Sequence, residues 1–515
     1  MLSLPRSRRS LAIAIIVFLV IVGTAAPGYD AVAQRMDEGS VLLYPELILK
    51  GWLPYRDFET FYGPANAYLL AGVYAIFQPG IFVARTVGLF YHLAILGAVF
   101  CIVRPRSLAL ALGAVLIAHL LLLPTGLAPF AWIGGIACAL WSIFLTAARP
   151  STRRMFFAGL LAAVALLYRP DLTPAMLLAA GLLLFFQPAR LRWTWLIGLG
   201  LGLLPMLFLI FAAGFQNVFD NVFLYPVVVT NPARKLPWSS IAPYVIYLLA
   251  FHFVASVINV VAGFLNLRRD TTSWSNRLFA AAALFALGTT HEALQRMDSG
   301  HVTLCCFLSL ALLPVGLSIM ADRWTATPGT LSRPLLCVAL TLLIVAGLAP
   351  EVVYLVRQAM GGGPSKKEEV VFLEHGGRSF PLGSSAAARE TGALLDTMTS
   401  LAAPKQRLFV GPADLRRTNY NATFLYHFLP QLTPATYFLE MNPLSANRPG
   451  SRLSTDILSA DWLILDHRLD EWNEPNESSR FGPDAPNQVV QSNFDLRARQ
   501  GSYDIYQKKG AAPAP

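Results

Sequence analysis

Charged residues are scarce in this chain of 515 residues: Asp, Glu, Lys and Arg make up 14% of it, against 55% apolar residues. A soluble globular domain carries about 25% charged and roughly 45–50% apolar residues. With a mean hydropathy of +0.52, the chain has too little charge to cover a surface that faces water. This excludes both a plain soluble enzyme and a disordered protein, and many apolar runs of about 18 residues predict a polytopic membrane protein instead.

Cysteine is rare as well. The hydrophilic part of the chain has no cysteine. All five cysteines fall in predicted spans: Cys101, Cys138, Cys305, Cys306 and Cys337. This distribution argues against disulfides and cysteine-rich metal sites. The formal net charge of +10 does not indicate a nucleic-acid partner, because the basic residues form short clusters between apolar runs and no nucleic-acid-binding motif is present.

The basic clusters predict the topology. We expect the run at 11–26 to be a retained first span, with a cleaved signal peptide as the alternative. The segment 65–79 is too short to cross a hydrocarbon core of about 30 Å, so we expect it to be an interfacial or half-inserted helix. With this assignment, about eleven spans remain, and most arginines lie on the cytoplasmic side together with the N-terminus. The loops on the opposite side hold only Arg35, Lys50, Arg56, Arg85, Arg169, Arg234, Lys235 and Arg296.

Two domains are predicted. Residues 1–360 form the transmembrane domain, with a polar first outer loop at 28–82, and residues 361–515 form a soluble extracytoplasmic α/β domain. Helix-like stretches in this tail lie at 386–402 and 452–459. Strand-like runs lie at 407–411, 436–439, 462–465 and 500–507.

The first outer loop has the highest density of acidic residues, with Asp37, Glu38, Asp57 and Glu59 placed soon after the first span. Carboxylates beside a membrane are costly to desolvate, so they indicate a function. The stretch 41–49 between them is apolar on one side and is expected to lie on the membrane surface, which would hold Asp37 and Glu38 at headgroup height. A carboxylate there can deprotonate an acceptor group as it attacks. The alternative is that these acids are solvated loop residues or helix caps.

This loop resembles the membrane glycosyltransferases of the C superfamily, GT-C. The similarity rests on the Asp37-Glu38 pair, the segment Gly-Trp-Leu-Pro-Tyr-Arg-Asp-Phe at 51–58, Tyr-Gly-Pro at 62–64 and Ala-Arg at 84–85. It covers about residues 10–320, and the nearest branches contain protein O-mannosyltransferases, the lipid A aminoarabinose transferase and bacterial family 39-like proteins. The resemblance implies a GT-C fold, a sugar donor on a polyprenyl phosphate or pyrophosphate, and Asp37 as the catalytic base, with Glu38 next.

Such a donor needs cations near the outer headgroup plane, where arginine can bind phosphate through two hydrogen bonds. The predicted outer loops offer Arg296, Arg169, His301 and Arg56 for this role. Asp171 lies two residues after Arg169, and Asp298 lies two residues after Arg296. Together with Asp57 and Glu59, these aspartates are further candidate acids. The alternative is that these arginines anchor span ends or form surface ion pairs.

The sequence therefore predicts a multi-pass protein of the cell inner or plasma membrane that transfers a sugar from a polyprenyl-phosphate donor. The acceptor is an envelope glycan, a glycolipid or a protein, reached on the extracytoplasmic side, and the other contacts are with membrane lipid. Whether the loop carboxylates hold a divalent cation is left open, because the sequence shows no characteristic spacing of metal ligands. The rival functions are a lipid-linked glycan transporter or flippase, which would carry polar residues deep in its spans, and a non-catalytic assembly scaffold.

Overall fold

The computed structural model describes residues 17–148, 151–324, 332–349, 370–470 and 473–510. Residues 11–16 of the predicted first span and residues 361–369 at the start of the predicted C-terminal domain lie outside the described residues. The helices up to residue 349 are α1 (Val17–Asp30), α2 (Asp37–Leu49), α3 (Ala65–Phe77), α4 (Ile81–Val103), α5 (Leu108–Leu122), α6 (Ala131–Ala147), α7 (Thr152–Tyr168), α8 (Thr173–Phe185), α9 (Ala189–Ala213), α10 (Phe215–Phe219), α11 (Asn231–Arg234), α12 (Pro243–Arg269), α13 (Trp274–Gly288), α14 (Thr290–Gln295), α15 (Ser299–Trp324) and α16 (Ser332–Leu348).

Five helices among the described residues are long and apolar enough to cross a membrane: α4, α5 with its short extension to Thr125, α9, α12 and α15. Other apolar helices, including α3, α6 and α16, are 10–17 residues long. The chain is thus a multi-pass helical membrane protein, and the count of eleven spans stays a prediction. At 13 residues, α3 measures about 20 Å, since an α-helix rises 1.5 Å per residue.

Burial distinguishes the centre of the helix bundle from its periphery. In α15, 72% of the most apolar window is buried inside the protein, whereas in α9 only 22% is. The exposed face of α9 consists of large apolar side chains such as Trp193 and Phe211. Because such a surface is unfavourable in water, α9 faces lipid and α15 lies in the core. Gly214 follows the last residue of α9, and its φ of +89° favours glycine there.

The C-terminal region contains two sheets. A hairpin pairs β1 (Val371–His375) with β2 (Arg378–Leu382). A five-stranded sheet has the order β4-β3-β5-β7-β6 and is parallel on one side and antiparallel on the other. Its strands are β3 (Arg407–Pro412), β4 (Thr433–Pro434), β5 (Trp462–Asp466), β6 (Phe494–Gln500) and β7 (Tyr503–Lys508), and the helices of this region are α17 (Ser385–Leu401), α18 (Phe424–Phe428), α19 (Leu453–Leu458) and α20 (Ala485–Asn493).

One predicted strand is wrong. Residues 436–439 form no strand, because their polar groups bond to side chains and to the first outer loop instead of to a neighbouring strand. The backbone N–H of Tyr437 donates to Asp456 Oδ2 at 2.8 Å, and the Tyr437 carbonyl accepts from the N–H of Glu59 at 2.8 Å. The predictions at 407–411 and 462–465 are confirmed by β3 and β5.

The segments that connect the helices at one end of the bundle contact one another and the C-terminal region. Lys50 donates to the carbonyl of Pro430 at 2.8 Å, and Asn221 donates to the hydroxyl of Tyr437 at 2.7 Å. The first outer loop, the 214–242 segment and the sheet domain therefore meet at the same end of the bundle. The side of the membrane on which this end lies stays a prediction.

Candidate functional site

The helix α2 carries the two acids on which the sequence analysis centres. Asp37 and Glu38 occupy its first turn, where the helix dipole favours negative charge. Protein encloses the helix, because its residues from Glu38 to Leu47 are buried except Val41, so the expected position on the membrane surface is not observed. The contact with α18 is so close that a Cβ atom on Gly39 would lie 2.4 Å from the backbone nitrogen of Phe424.

Asp37 is half-buried, and its carboxylate makes no hydrogen bond or ion pair with another described residue. Burial raises the pKa of this carboxyl to about 6, and the negative charge of Glu440 adds to the effect. The positive charges of His301 and Arg296 oppose it. Near neutral pH, Asp37 is therefore mostly ionised, free to accept a proton and more basic than an ordinary aspartate, which are the properties required of a general base.

Glu440 is a carboxylate that sequence reasoning missed. It is 6% exposed, the Asn442 amide donates to it at 3.4 Å, and the Ser40 and Tyr44 hydroxyls of α2 lie near its carboxylate. Ser40 and Tyr44 follow Asp37 by three and seven residues and so share its face of α2. Burial raises the pKa of Glu440. No local signal could have identified this residue, because it lies about 400 positions from α2 in a polar segment of the tail.

Glu59 is the third carboxyl of this group. It is 1% exposed, and it accepts hydrogen bonds from the Ser445 hydroxyl and, at 3.0 Å, from the Asn442 amide. Burial raises its pKa to about 7, and the nearby charge of Glu440 contributes. Glu59 therefore joins the first loop to the sheet domain beside the site.

Glu38 and Arg85 form a closed ion pair. The guanidinium Nε and Nη2 atoms each lie 2.9 Å from a carboxylate oxygen of Glu38, and Nη1 donates to two backbone carbonyls. Both side chains are 5% exposed or less. Because its oxygens are occupied, Glu38 fits a structural role better than the catalytic role given to it from sequence. Arg85 lies in α4 rather than in a loop.

Arg169 lies between two acids and two aromatic rings. It forms ion pairs with Asp171 and, at 3.0 Å, with Glu292. Its guanidinium carbon lies 5.1 Å from the centroid of the Trp132 ring and 5.6 Å from that of Tyr62. The pKa of Glu292 is raised, chiefly by burial, and that of Asp171 is lowered, chiefly by Arg169. This position keeps Arg169 charged and fixed in orientation.

Arg296 is also paired. Its Nε atom lies 2.7 Å from Asp298 Oδ2, and its Nη atoms contact the carboxylate of Glu474 in the tail. His301 Nδ1 lies 2.8 Å from Asp298 Oδ1. Arg296 and His301 are near enough to Asp37 for their charges to affect its pKa. Arg56, by contrast, pairs with its neighbour Asp57 and is half-exposed in the first loop.

Arg234 differs from the four predicted phosphate ligands. It is half-buried at the end of α11, and its guanidinium has no hydrogen-bond or ion-pair partner among the described residues. Burial raises the pKa values of Tyr62 and Glu292, and the positive charge of Arg234 opposes part of this rise, so Arg234 lies near the same site. From the sequence, Arg234 is predicted to lie on the outer side only as part of the charge pattern. Within the described residues, no group of three or more His, Cys, Asp or Glu side chains is arranged to hold a metal ion.

Comparison with known proteins gives a likeness in structure. The chain matches no protein-family model and no curated protein sequence. Its fold is similar to that of the crystal structure of ArnT from Cupriavidus metallidurans bound to undecaprenyl phosphate, with a TM-score of 0.53 and 13% identity over 98% of this chain and 99% of that one. The apo state of ArnT gives a TM-score of 0.50 and 13% identity over 97% and 98%. ArnT is an aminoarabinose transferase with the GT-C fold, so the predicted GT-C fold is confirmed.

Proposed function

We propose that this protein is a membrane glycosyltransferase that moves a sugar from a polyprenyl-phosphate donor to an acceptor on the extracytoplasmic side of the inner or plasma membrane. The observation that carries the proposal is the partner-free carboxylate of Asp37, whose pKa is raised to about 6 within a group of arginines at one end of the helix bundle. The fold supports the proposal, and ArnT binds undecaprenyl phosphate, a carrier of the proposed class.

Asp37 is the proposed general base. It takes the proton of the acceptor hydroxyl or amine as that atom attacks the anomeric carbon of the sugar. The bond from the anomeric carbon to the phosphate oxygen breaks, the electron pair leaves with the phosphate, and the anomeric configuration inverts. The raised pKa strengthens Asp37 as a proton acceptor while leaving it mostly ionised near neutral pH.

The leaving phosphate gains negative charge and needs positive groups around it. Arg234 is our first candidate, because its guanidinium is half-buried and partner-free among the described residues. Arg169 and Arg296 add positive charge from positions fixed by their carboxylate partners, and His301 contacts Asp298, the partner of Arg296. Arg56 is the weakest of the sequence candidates, because it is 50% exposed and paired with Asp57.

The test is transfer from radiolabelled polyprenyl-phosphate sugars to envelope glycan or glycolipid acceptors by the purified full chain in lipid. We expect Asp37→Asn to lower turnover by about 100- to 10,000-fold, the usual contribution of a general base, with donor binding retained. Asp57→Asn is the matched control, since Asp57 lies in the same loop and pairs with Arg56 outside the site. Transfer retained by Asp37→Asn would remove this residue from the mechanism. Net movement of an intact lipid-linked glycan without transfer would favour the transporter.

A further inference from the structure

A cavity of about 460 Å³ lies between the membrane domain and the sheet domain. Val229 and Pro232 line it on one side, and the loops at 444–449 and 477–483 line it on the other. Arg448, Arg480 and Phe481 are among the lining residues. The volume is in the range of small-molecule sites, which hold a few polar groups among apolar and aromatic ones.

The walls of this cavity are fixed by Asn447, which is 4% exposed. Its side-chain nitrogen donates to the carbonyls of Arg416 at 2.8 Å and Arg480 at 3.1 Å, and its side-chain oxygen accepts from the N–H of Leu444 at 2.8 Å. Gly482 packs so closely that an added Cβ atom would lie 2.1 Å from the Asn447 carbonyl oxygen. Three chain segments are thus held together, so the cavity exists before any ligand enters.

Two arginines give the cavity a positive surface. Arg448 is exposed, lies 5.1 Å from the centroid of the Tyr225 ring and has no carboxylate partner among the described residues. Arg480 lies 3.6 Å from Glu477, but the two side chains are 70% and 53% exposed, so water weakens this pair. Both guanidinium groups are therefore available to an anionic ligand, to which arginine donates two parallel hydrogen bonds.

Phe481 provides an aromatic surface beside these cations. Its ring lies under the guanidinium groups of Arg416 and Arg417, whose central carbons are 5.0 and 5.7 Å from its centroid. Phe481 is nevertheless 59% exposed. An aromatic face next to guanidinium groups suits a sugar, since the C–H face of the sugar can pack on the ring while its anionic substituent meets the cations.

The cavity wall adjoins the buried carboxyls beside the proposed base. Leu444 lines the cavity, and the hydroxyl of the next residue, Ser445, donates to Glu59. The Asn442 amide donates to Glu59 at 3.0 Å and to Glu440 at 3.4 Å. The segment that lines the cavity therefore also holds Glu59 and Glu440 in place.

We propose that this cavity binds the acceptor, and that Arg448 and Arg480 select a sugar carrying an anionic group, phosphate or carboxylate. This inference rests on the proposed glycosyltransferase function and names the chemical class of its acceptor. It assigns to the C-terminal domain the recognition of the acceptor, while the membrane domain holds the lipid-linked donor.

Direct binding to the full chain in nanodiscs tests the proposal, with isothermal titration of glucosamine 1-phosphate, glucuronic acid and glucose. We expect both anionic sugars to bind more tightly than glucose, and the tighter of the two identifies a phosphorylated or a uronic acid acceptor. In the double variant Arg448→Gln, Arg480→Gln we expect binding of the anionic sugars to weaken by at least about tenfold, because hydrogen bonds between charged groups are lost. Arg389→Gln is the control, since Arg389 is an exposed arginine of the same domain on α17 and should leave binding unchanged.

Equal binding of glucose and the anionic sugars, or equal loss in the double variant and in Arg389→Gln, would overturn the proposal. Binding of undecaprenyl phosphate to the double variant should match that of the wild type, which shows that the variant is folded. The titration requires no turnover, so its outcome is separate from the Asp37→Asn result that tests the enzyme function.

Discussion

Glu46 and Arg378, which are 332 positions apart, form an ion pair that joins α2 to the sheet domain. Arg378 Nη1 lies 2.6 Å from Glu46 Oε1, and Nη2 lies 2.8 Å from Oε2. His427 Nδ1 lies 2.6 Å from the same carboxylate, and the three side chains are 16% exposed or less. Because α2 also carries Asp37, the position of the proposed base depends on the docking of the C-terminal domain.

Removing this ion pair should loosen the docking. In Arg378→Gln we expect faster hydrogen exchange in α2 and α18, since the buried carboxylate of Glu46 loses its bidentate partner and breaking such a pair costs about 3–5 kcal/mol. Turnover should fall mainly through kcat, because donor binding involves other residues. Hydrogen-exchange mass spectrometry with Arg389→Gln as the control measures the effect, and unchanged exchange in α2 would contradict it.

Glu440 should contribute to the pH dependence of the reaction. Its negative charge raises the pKa of Asp37, so Glu440→Gln should lower that pKa and keep the base ionised at more acidic pH. We expect the acid limb of the pH–rate profile, which for the wild type falls near the Asp37 pKa of about 6, to move to lower pH. Asp396→Asn, which changes a side chain that is 79% exposed, should leave the profile in place. A profile unchanged by Glu440→Gln would exclude this coupling.

Arg234 should act on the donor. We expect Arg234→Gln to weaken binding of undecaprenyl phosphate by about tenfold or more, since a hydrogen bond to a charged group contributes about 1.5–3 kcal/mol. The adjacent Lys235 is exposed, so Lys235→Gln removes the same charge one residue away and should have little effect. Equal losses in the two variants would indicate a general electrostatic effect on the membrane surface instead of a specific contact.

The pair of Arg85 and Glu38 should stabilise the fold without acting in catalysis. Arg85→Met leaves a buried carboxylate unpaired, which we expect to lower the free energy of unfolding by about 3–5 kcal/mol. Adding Glu38→Gln should recover part of this loss, because the unpaired charge is then removed. Thermal unfolding of the single and double variants measures both. If Glu38→Gln abolished transfer in a stably folded protein, the catalytic role predicted from sequence would return.

The sequence determined the membrane class, several helices and the most prominent acid. Long apolar runs specify α4, α12 and α15, because a span is encoded by the hydropathy of contiguous residues. The strands β3 and β5 follow from short apolar runs in the same way. Asp37 was identifiable because an acidic pair soon after a span is rare, since carboxylates beside a membrane are costly to desolvate. All of these are local properties that are contained within a window of about 20 residues.

The tertiary structure alone decided which side chains meet. It brought Glu440 to the Asp37 face of α2, placed Arg234 near the site and paired Glu38 with Arg85. It also turned residues 436–439 from an expected strand into a contact with the first outer loop. The physical reason is that charge pairing and desolvation depend on neighbours that packing supplies from hundreds of positions away. The hydrophobic pattern of a segment specifies its own conformation but contains no information about such partners.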